Sequence, residues 1–376
     1  MSIRHLYIHI PFCKSRCPYC DFYTVNNNPQ QQADYTAALL KELIFFRSKL
    51  AAPLESIYFG GGTPSLLADD HLKSIFDFLT GLQWSKDIEI TLEANPLTID
   101  AGKCSLYRKL GINRVSLGTQ SFVDSELKTL GRQHRSADAL FAFNCLRQAG
   151  FSNINLDLLI GIPGQTVDSL QHSLEQLVTL APEHISPYVL TYYENTVYTR
   201  LASQGRIQAV GDEMEAELFD RTADFLASHD YRRYEISNFS RPGYYSRHNM
   251  NTWRFGEYLG VGCAAHSFFD RQRRANPESL TAYLTLAADN SWLDYNTSLT
   301  RNDEIGEYVM LAFRTAEGVD TADFKEHFGI DFNTFFAGTI LKHSTGDLLI
   351  ARGSRICLSR KGFDLFNCIV ADFLPD

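Results

Sequence analysis

From the N-terminus to about residue 195, short β-rich apolar runs alternate with longer stretches in which apolar residues recur every three or four positions. The runs at 6–10, 56–59, 88–92, 114–117, 154–160 and 184–190 predict strands. The stretches 31–50, 69–81, 99–110, 122–131, 136–149 and 166–180 predict helices, as in the spacing of Leu39, Leu40, Leu43, Ile44 and Leu50. Six strand–helix units in series imply a parallel sheet with right-handed crossovers. Polar or special residues cluster just after the strands, at 60–63, 93–96, 118–121 and 161–164. That is the C-terminal mouth of a parallel barrel, where active sites of such folds lie. The pattern alone leaves a six-unit partial barrel, a full barrel and an open doubly wound sheet as alternatives.

After about residue 195 the alternation stops. A helical stretch at 212–228 leads into an aromatic segment at 231–239, and three helix-like segments follow Asn302. A hairpin is expected from 348–351 and 356–358 around Gly353-Ser354, then a last helix from Lys361. Helices followed by a hairpin suggest a winged-helix shape. With a formal charge of −9 and no basic stripe, a packing or interaction module is expected there, and no nucleic-acid partner.

Length and composition refine this picture only modestly. At roughly 150 residues per domain, 376 residues suggest two to three domains, and 44% hydrophobic content supplies a full core. No segment approaches the 18 or so apolar residues of a membrane span. The N-terminus makes a poor leader, because its apolar run is short, contains His9 and passes straight into cysteines. A cytoplasmic location is expected.

The cysteines change the picture most. Of eight, three crowd together as Cys13-Lys14-Ser15-Arg16-Cys17-Pro18-Tyr19-Cys20, directly after the first strand. The spacing C-x3-C-x2-C can give one thiolate to each of three irons of a [4Fe–4S] cluster. The fourth iron then keeps an open position, where an amino-carboxylate such as the methionine end of S-adenosylmethionine can chelate. A Cys3His zinc site is the competing reading, although no second Cys/His knuckle lies nearby. After the second strand, Gly60-Gly61-Gly62-Thr63 lets the backbone approach a ligand closely. Glu93, Gln120, Arg132 and Asp157 sit at or beyond strand ends, offering acceptors for hydroxyls and a cation for a carboxylate. Gly260-Val261-Gly262-Cys263-Ala264-Ala265 matches a loose dinucleotide pattern, but it lies outside the strand–helix series and is discounted.

Taken together, these motifs resemble the radical-SAM superfamily and, within it, the HemW family of haem chaperones, relatives of oxygen-independent coproporphyrinogen III oxidase (HemN). The matching segments begin with Tyr7-Ile8-His9-Ile10-Pro11-Phe12-Cys13, Cys20-Asp21-Phe22, Gly60-Gly61-Gly62-Thr63-Pro64-Ser65 and Glu93-Ala94-Asn95-Pro96. They continue through Ser116-Leu117-Gly118-Thr119-Gln120-Ser121-Phe122, Leu130-Gly131-Arg132-Gln133-His134 and Asp157-Leu158-Leu159-Ile160-Gly161-Ile162-Pro163-Gly164. Tyr234-Glu235-Ile236-Ser237-Asn238-Phe239 and Tyr258-Leu259-Gly260-Val261-Gly262 extend the match over almost the whole chain.

The resemblance implies an α/β fold: a radical-SAM partial (β/α)6, TIM-like barrel with a smaller helical, winged-helix-like C-terminal domain. It implies a core at 1–235, a connecting segment at 236–300 and a C-terminal domain at 301–376. It assigns Cys13, Cys17 and Cys20 to the cluster, and Tyr7, Tyr19, Gly61, Gly62, Thr63 and Glu93 to S-adenosylmethionine. Gln120, Arg132, Asp157 and Thr191 match positions contacting a second such molecule in the oxidase. Two departures favour the chaperone. Phe22 stands where the oxidase has another cysteine, and the short stretch before Cys13 leaves no room for the oxidase's N-terminal extension.

The family's H-N-x-x-Y-W motif reads here as His248-Asn249-Met250-Asn251-Thr252-Trp253, with Thr252 in place of tyrosine. His248 is the candidate axial ligand for haem, with His9 and His266 competing, and Arg247 and Arg254 are candidates for its propionates. The implied function is binding of haem and its delivery to acceptor proteins, with a reductant for the cluster and peripheral contact with membrane haemoproteins. The alternative is an enzyme that converts coproporphyrinogen III to protoporphyrinogen IX by way of a 5′-deoxyadenosyl radical.

Overall fold

The computed structural model describes residues 3–292 and 296–375. The six expected strands form as β1 (His5–Ile10), β2 (Leu54–Gly61), β3 (Trp84–Ala94), β4 (Arg114–Gln120), β5 (Ile154–Ile160) and β6 (His184–Val189). All five neighbouring pairs are parallel. The crossovers are α1 (Pro29–Phe45), α2 (Asp69–Leu79), α3 (Ala101–Lys109), α4 (Asp124–Thr129) with α5 (Ser136–Gln148), and α6 (Val167–Leu180). Their starts follow local chemistry. Asn28 accepts from the Gln30 and Gln31 amides with Pro29 opening α1, and Thr166 accepts from the Ser169 amide at α6. The helix expected over 31–50 stops at Phe45 and gives way to a 3-10 turn at Arg47–Leu50.

Beyond β6 come α7 (Val197–Ser203) and α8 (Asp212–Ser228), then a hairpin of β7 (Arg232–Glu235) and β8 (Asn238–Ser240). β8 pairs antiparallel with β6, so the aromatic segment extends the sheet. At the opposite edge, β9 (Leu259–Val261) lies parallel to β1. The sheet order is therefore β9-β1-β2-β3-β4-β5-β6-β8-β7, a curved run whose two edges do not pair with each other among the described residues. Gly260 and Val261 thus belong to the sheet as an edge strand, outside the strand–helix series as expected. Gly260 and Gly262 serve backbone contact: a Cβ on Gly260 would lie 2.0 Å from the His266 carbonyl oxygen, and Gly262 has φ +99°. Three residues of strand carry too little periodicity to be read from sequence.

Each sheet strand has two different faces. Leu6, Ile8, Ile57, Phe59, Ile90, Leu92, Val115, Leu117, Ile154, Leu156 and Ile185 are completely buried beneath the helices. The alternate positions are polar: His5, Tyr7 and His9; Ser56 and Tyr58; Glu89, Thr91 and Glu93; Arg114 and Ser116; Asn155 and Asp157; His184 and Ser186. A parallel sheet covered on both faces by apolar layers reads as continuous hydrophobic runs; this one is apolar outside and polar within.

The segment 236–300 packs into the same core. Phe239, Leu259, Val261, Tyr283 and Trp292 join the main cluster, with α9 (Arg247–Trp253) against β2 and α10 (Leu280–Asp289) against α1. Glu42 of α1, fully buried, ties these parts together. It accepts from Gly262 N at 2.8 Å, Tyr283 OH at 2.7 Å, Asn276 Nδ2 at 2.9 Å and Arg274 Nη2 at 3.1 Å.

A second core forms around Phe313, Phe324, Phe332 and Phe373, all completely buried. It contains α11 (Arg301–Phe313), α12 (Thr321–Phe328) and α14 (Ala337–Thr345), with α13 (Phe332–Phe335) between the last two. β10 (His266–Phe269), β11 (Gln272–Ala275) and β12 (Asn296–Ser298) form a small antiparallel sheet before it, and β13 (Val319–Asp320) pairs with a hairpin of β14 (Leu349–Arg352) and β15 (Arg355–Leu358), giving the expected wing.

Candidate cluster and nucleoside site

Cys13 ends a two-residue parallel pairing of Phe12–Cys13 with Val25–Asn26, just beyond β1. A tight turn, Cys20 N to Cys17 O at 3.1 Å, brings the other two thiols back towards it. All three thiols are free and partly open, whereas Cys104, Cys263 and Cys357 are buried. Burial, followed by the mutual repulsion of the three sulfurs, pushes the Cys13 and Cys20 thiols above their ordinary range, with hydrogen bonds at each partly offsetting the rise. A bound cationic centre is what would make three such thiols thiolates. Arg132 reaches over them, with Nη1 3.6 Å from Cys17 Sγ and Nη2 donating to Gly118 O at 2.8 Å. Its Nε is buried without a partner. Thr63 Oγ1 lies 3.5 Å from Cys13 Sγ.

Among the described residues no three His, Cys, Asp or Glu side chains converge closely enough to hold a single ion, as a zinc centre would require. A four-iron cluster takes one thiolate per iron, so the residues present fit a cluster better than a mononuclear site. With a cluster and S-adenosylmethionine bound, the chemistry on offer is one-electron transfer to the sulfonium. The protein's part is positioning and exclusion of water.

The glycine loop packs beside the cysteines. Gly62 N donates to Ile10 O, and Thr63 N to Phe12 O, each at 2.9 Å. A Cβ at Gly61, where φ is +111°, would lie 2.5 Å from the His9 ring; one at Gly62 would lie 2.8 Å from the Pro11 backbone. Glu93 closes the loop from below, accepting from Tyr58 OH at 2.8 Å and Gly61 N at 3.2 Å. Burial, only partly offset by Tyr58, pushes its carboxyl up to about 7. Asp157 is pushed up to about 6, again by burial, while Asn155 Nδ2 at 2.7 Å and Ser116 Oγ at 3.4 Å favour its charged form. Tyr7 lies against Tyr58, ring centroids 6.1 Å apart, and its hydroxyl meets His9 Nδ1 at 3.1 Å. Gln120 holds a left-handed φ of 67°, where the β4–β5 register shifts, and folds its amide back over Gly118. Tyr19 packs on Tyr198 beside Arg132. One mouth therefore collects Tyr7, Tyr19, Gly61, Gly62, Thr63, Glu93, Gln120, Arg132 and Asp157 around Cys13, Cys17 and Cys20. Thr191 stands apart, exposed beyond β6, and its hydroxyl reaches only Val189 O.

The haem residues expected from sequence have a different setting. His248 is 6% exposed and bonds Ser56 Oγ through Nδ1 at 3.0 Å, near the start of β2. Tyr58, Tyr7, Tyr258 and His5 surround its ring at centroid distances of 5.2, 6.1, 6.3 and 6.5 Å. Burial lowers its pKa to about 3, so it is neutral. These rings enclose the imidazole in the fold described. Arg247 pairs with Asp87 at 2.9 Å and Arg254 with Glu317 at 3.1 Å, both at the surface. His9 is likewise buried, behind Gly61.

Sequence reasoning missed Arg114 and Glu89, both buried in the polar interior. Glu89 accepts from the Arg247 and His248 amides, and Arg114 faces Glu89, Tyr58, Tyr234 and Asp157. The signal that could have found them is the strict polar–apolar alternation of every strand.

Comparison with known proteins agrees with this geometry. The Radical SAM superfamily profile matches residues 7–177, and the HemN C-terminal domain profile matches residues 299–365. The heme chaperone HemW of Bacillus subtilis is 34% identical over 378 residues, covering 100% of both chains. The Escherichia coli heme chaperone HemW is 34% identical over 333 residues, covering 86% of each. The solved structure of coproporphyrinogen III oxidase (HemN) from Escherichia coli superposes with a TM-score of 0.86 at 24% identity, covering 99% of this chain and 90% of the other, which shows the shared fold. A cysteine triad beside a glycine loop and a polar barrel interior, with 34% identity to the Bacillus subtilis heme chaperone HemW over the whole of both chains, lead to one conclusion: the chain belongs to the HemW family of radical SAM proteins.

Proposed function

We infer that this protein is a haem chaperone: it carries a [4Fe–4S] cluster and S-adenosylmethionine, binds haem as cargo and hands it to acceptor proteins. One observation carries the reading. The 34% identity to the Bacillus subtilis heme chaperone is collinear across the whole of both chains, whereas the likeness to the oxidase is one of fold. In this reading Cys13, Cys17 and Cys20 hold the cluster. Glu93 and the carbonyls of the glycine loop accept from the N–H groups of the amino end, and Arg132 donates to the carboxylate. Gln120 and Asp157 accept from ribose hydroxyls. The reading includes a cytoplasmic site of action, a reductant for the cluster and passing contact with membrane haemoproteins. Among the described residues no helix is long and apolar enough to cross a membrane.

The test is anaerobic reconstitution followed by haem titration and transfer to a haem-free acceptor. One haem per chain is expected for wild type. With His248 as the candidate iron ligand, H248A is expected to bind haem at least tenfold more weakly. Failure of the wild type to bind haem stoichiometrically, or conversion of coproporphyrinogen III to protoporphyrinogen IX by the purified protein, would overturn the reading.

A further inference from the structure

Glu126 on α4 is a buried acid that the cluster and nucleoside residues leave unexplained. It is 5% exposed, and no basic side chain among the described residues pairs with it. It accepts from Ser121 Oγ and Ser169 Oγ, each at 2.6 Å, and from Gln165 Nε2 at 3.3 Å. Those donors come from three segments: the turn after β4, the first turn of α6 and the loop after β5. A carboxyl group held away from water without a counter-ion costs stability unless its lone pairs are used, and here both oxygens accept.

Two of these contacts lead straight to the mouth. Ser121 follows Gln120, a non-glycine residue at φ 67°, a conformation that persists only where the surroundings hold it. The hold comes from both sides. Before Gln120, His134 Nε2 meets Thr119 O at 3.0 Å; after it, Ser121 Oγ is fixed between the Glu126 carboxyl and Val123 N, the latter at 2.9 Å. Gln165 carries the second link: its Oε1 accepts from Gly161 N at 2.8 Å, and Gly161 has φ +79° just beyond β5. The other end of α4 has separate anchors. A Cβ at Gly131 would lie 2.6 Å from Pro18 Cδ, Tyr198 OH donates to Thr129 O, and Arg132 Nη2 holds Gly118 O. Arg132 therefore keeps its place over the cysteines without help from Glu126.

We infer that Glu126 is a positioning residue for the nucleoside half of S-adenosylmethionine: by fixing Ser121 it holds Gln120 against the ribose, while Arg132, Glu93 and the cluster hold the amino-acid half independently. The inference rests on the proposed function and deepens it, giving the two halves of one ligand two separately anchored supports. Glu126 serves through its acceptor oxygens. In E126Q the amide oxygen can still receive Ser121, and the amide NH2 can face Ser169 Oγ, whose own proton then goes to Thr166 O at 3.1 Å. In E126A the Ser121 hydroxyl loses its acceptor in a buried place.

The experiment titrates reduced, cluster-loaded full-length protein with S-adenosylhomocysteine, which keeps the amino-carboxylate and the nucleoside but has no sulfonium to cleave. A second titration uses methionine alone. The shift of the cluster's electron paramagnetic resonance signal reads occupancy of its open iron. E126A is expected to bind S-adenosylhomocysteine about tenfold more weakly and methionine within about threefold of wild type, with unchanged iron and sulfide content. E126Q is expected to bind S-adenosylhomocysteine within about threefold of wild type. On a Q120A background, E126A is expected to add less than about threefold, because the two act through one contact. V309A, which opens a cavity in the second core, is expected to lower the melting temperature and move neither affinity. Should E126A fail to load its cluster, S121A, which cuts the same link from the other side, takes its place with the same split between ligands. Equal weakening of both ligands, weakening of neither, the same loss in V309A or a full tenfold added to Q120A would overturn the inference and leave the chaperone reading standing. A wild type that binds no S-adenosylhomocysteine would overturn the nucleoside site itself.

Discussion

Glu93 sits among groups that favour its neutral form. Burial dominates, and Asp157 adds repulsion, while Tyr58, the Gly61 amide and Arg114 pull the other way; Tyr7 and Tyr188 complete its surroundings. Its proton affinity in the fold, about 7, exceeds the ordinary 4.5, so the native state holds a proton that the unfolded chain has released. Stability from this group is therefore lost as pH rises from about 4.5 to about 7 and is level above that. E93Q is expected to be more stable than ligand-free wild type at pH 8, on the order of 1–3 kcal/mol, with the difference vanishing below pH 4.5. Thermal unfolding across this range measures it. Ligand binding runs oppositely: the carboxylate is the better acceptor for the ligand's amino N–H groups, so affinity for S-adenosylhomocysteine should rise through about pH 7 in wild type and stay flat in E93Q. The cysteines, glycines and Glu93 were legible in sequence because they lie in contiguous motifs. Arg114, Glu89 and Glu42 were not, because their partners are distant in sequence: Glu42 meets Gly262 and Tyr283, 220 and 241 residues away.

Among the elements, α9 is the least self-sufficient. It has seven residues, too few for a stable helix alone, and is fixed by Ser246 at its N-cap and by Glu89 beneath. Removing Glu89 would strand two amide donors and leave Arg114 without its nearest opposing charge. E89A is expected to cost about 3 kcal/mol in urea unfolding. Loosening should concentrate at α9, read as faster amide exchange at residues 247–253. The six parallel strands and their helices were readable because periods of two and of three to four alternate cleanly along the first half. β7, β8 and β9 have only three or four residues each, and α9 has seven; such lengths leave no period to detect. The wing was readable because Gly353 marks a hairpin, and it does hold a positive φ of 63°.

At the scale of the molecule, the two cores are joined by backbone bonds from Ile236 N to Arg314 O and Ala316 N to Tyr234 O, and beside them by arginine–carboxylate pairs: Arg271–Glu304, Arg273–Glu307, Arg314–Glu235, Arg254–Glu317 and Arg360 with Asp220 and Asp224. Most have at least one exposed partner, so each contributes little in high salt, where the screening length at 1 M is about 3 Å. Raising NaCl from 0.1 to 1 M is expected to speed amide exchange along α8 and the wing hairpin, which Arg360 ties together through Asp220 and Asp224. Exchange in β1 to β5, held by apolar burial, should change less than twofold. Equal acceleration throughout would refute the division.

The one-sided sheet has a consequence of its own. Cohesion in this molecule resides in an outer shell, where strands meet helices, and the centre contributes hydrogen-bonding groups in place of dry packing. Side chains at that centre can therefore be exchanged for others of like polarity while the shell keeps its form.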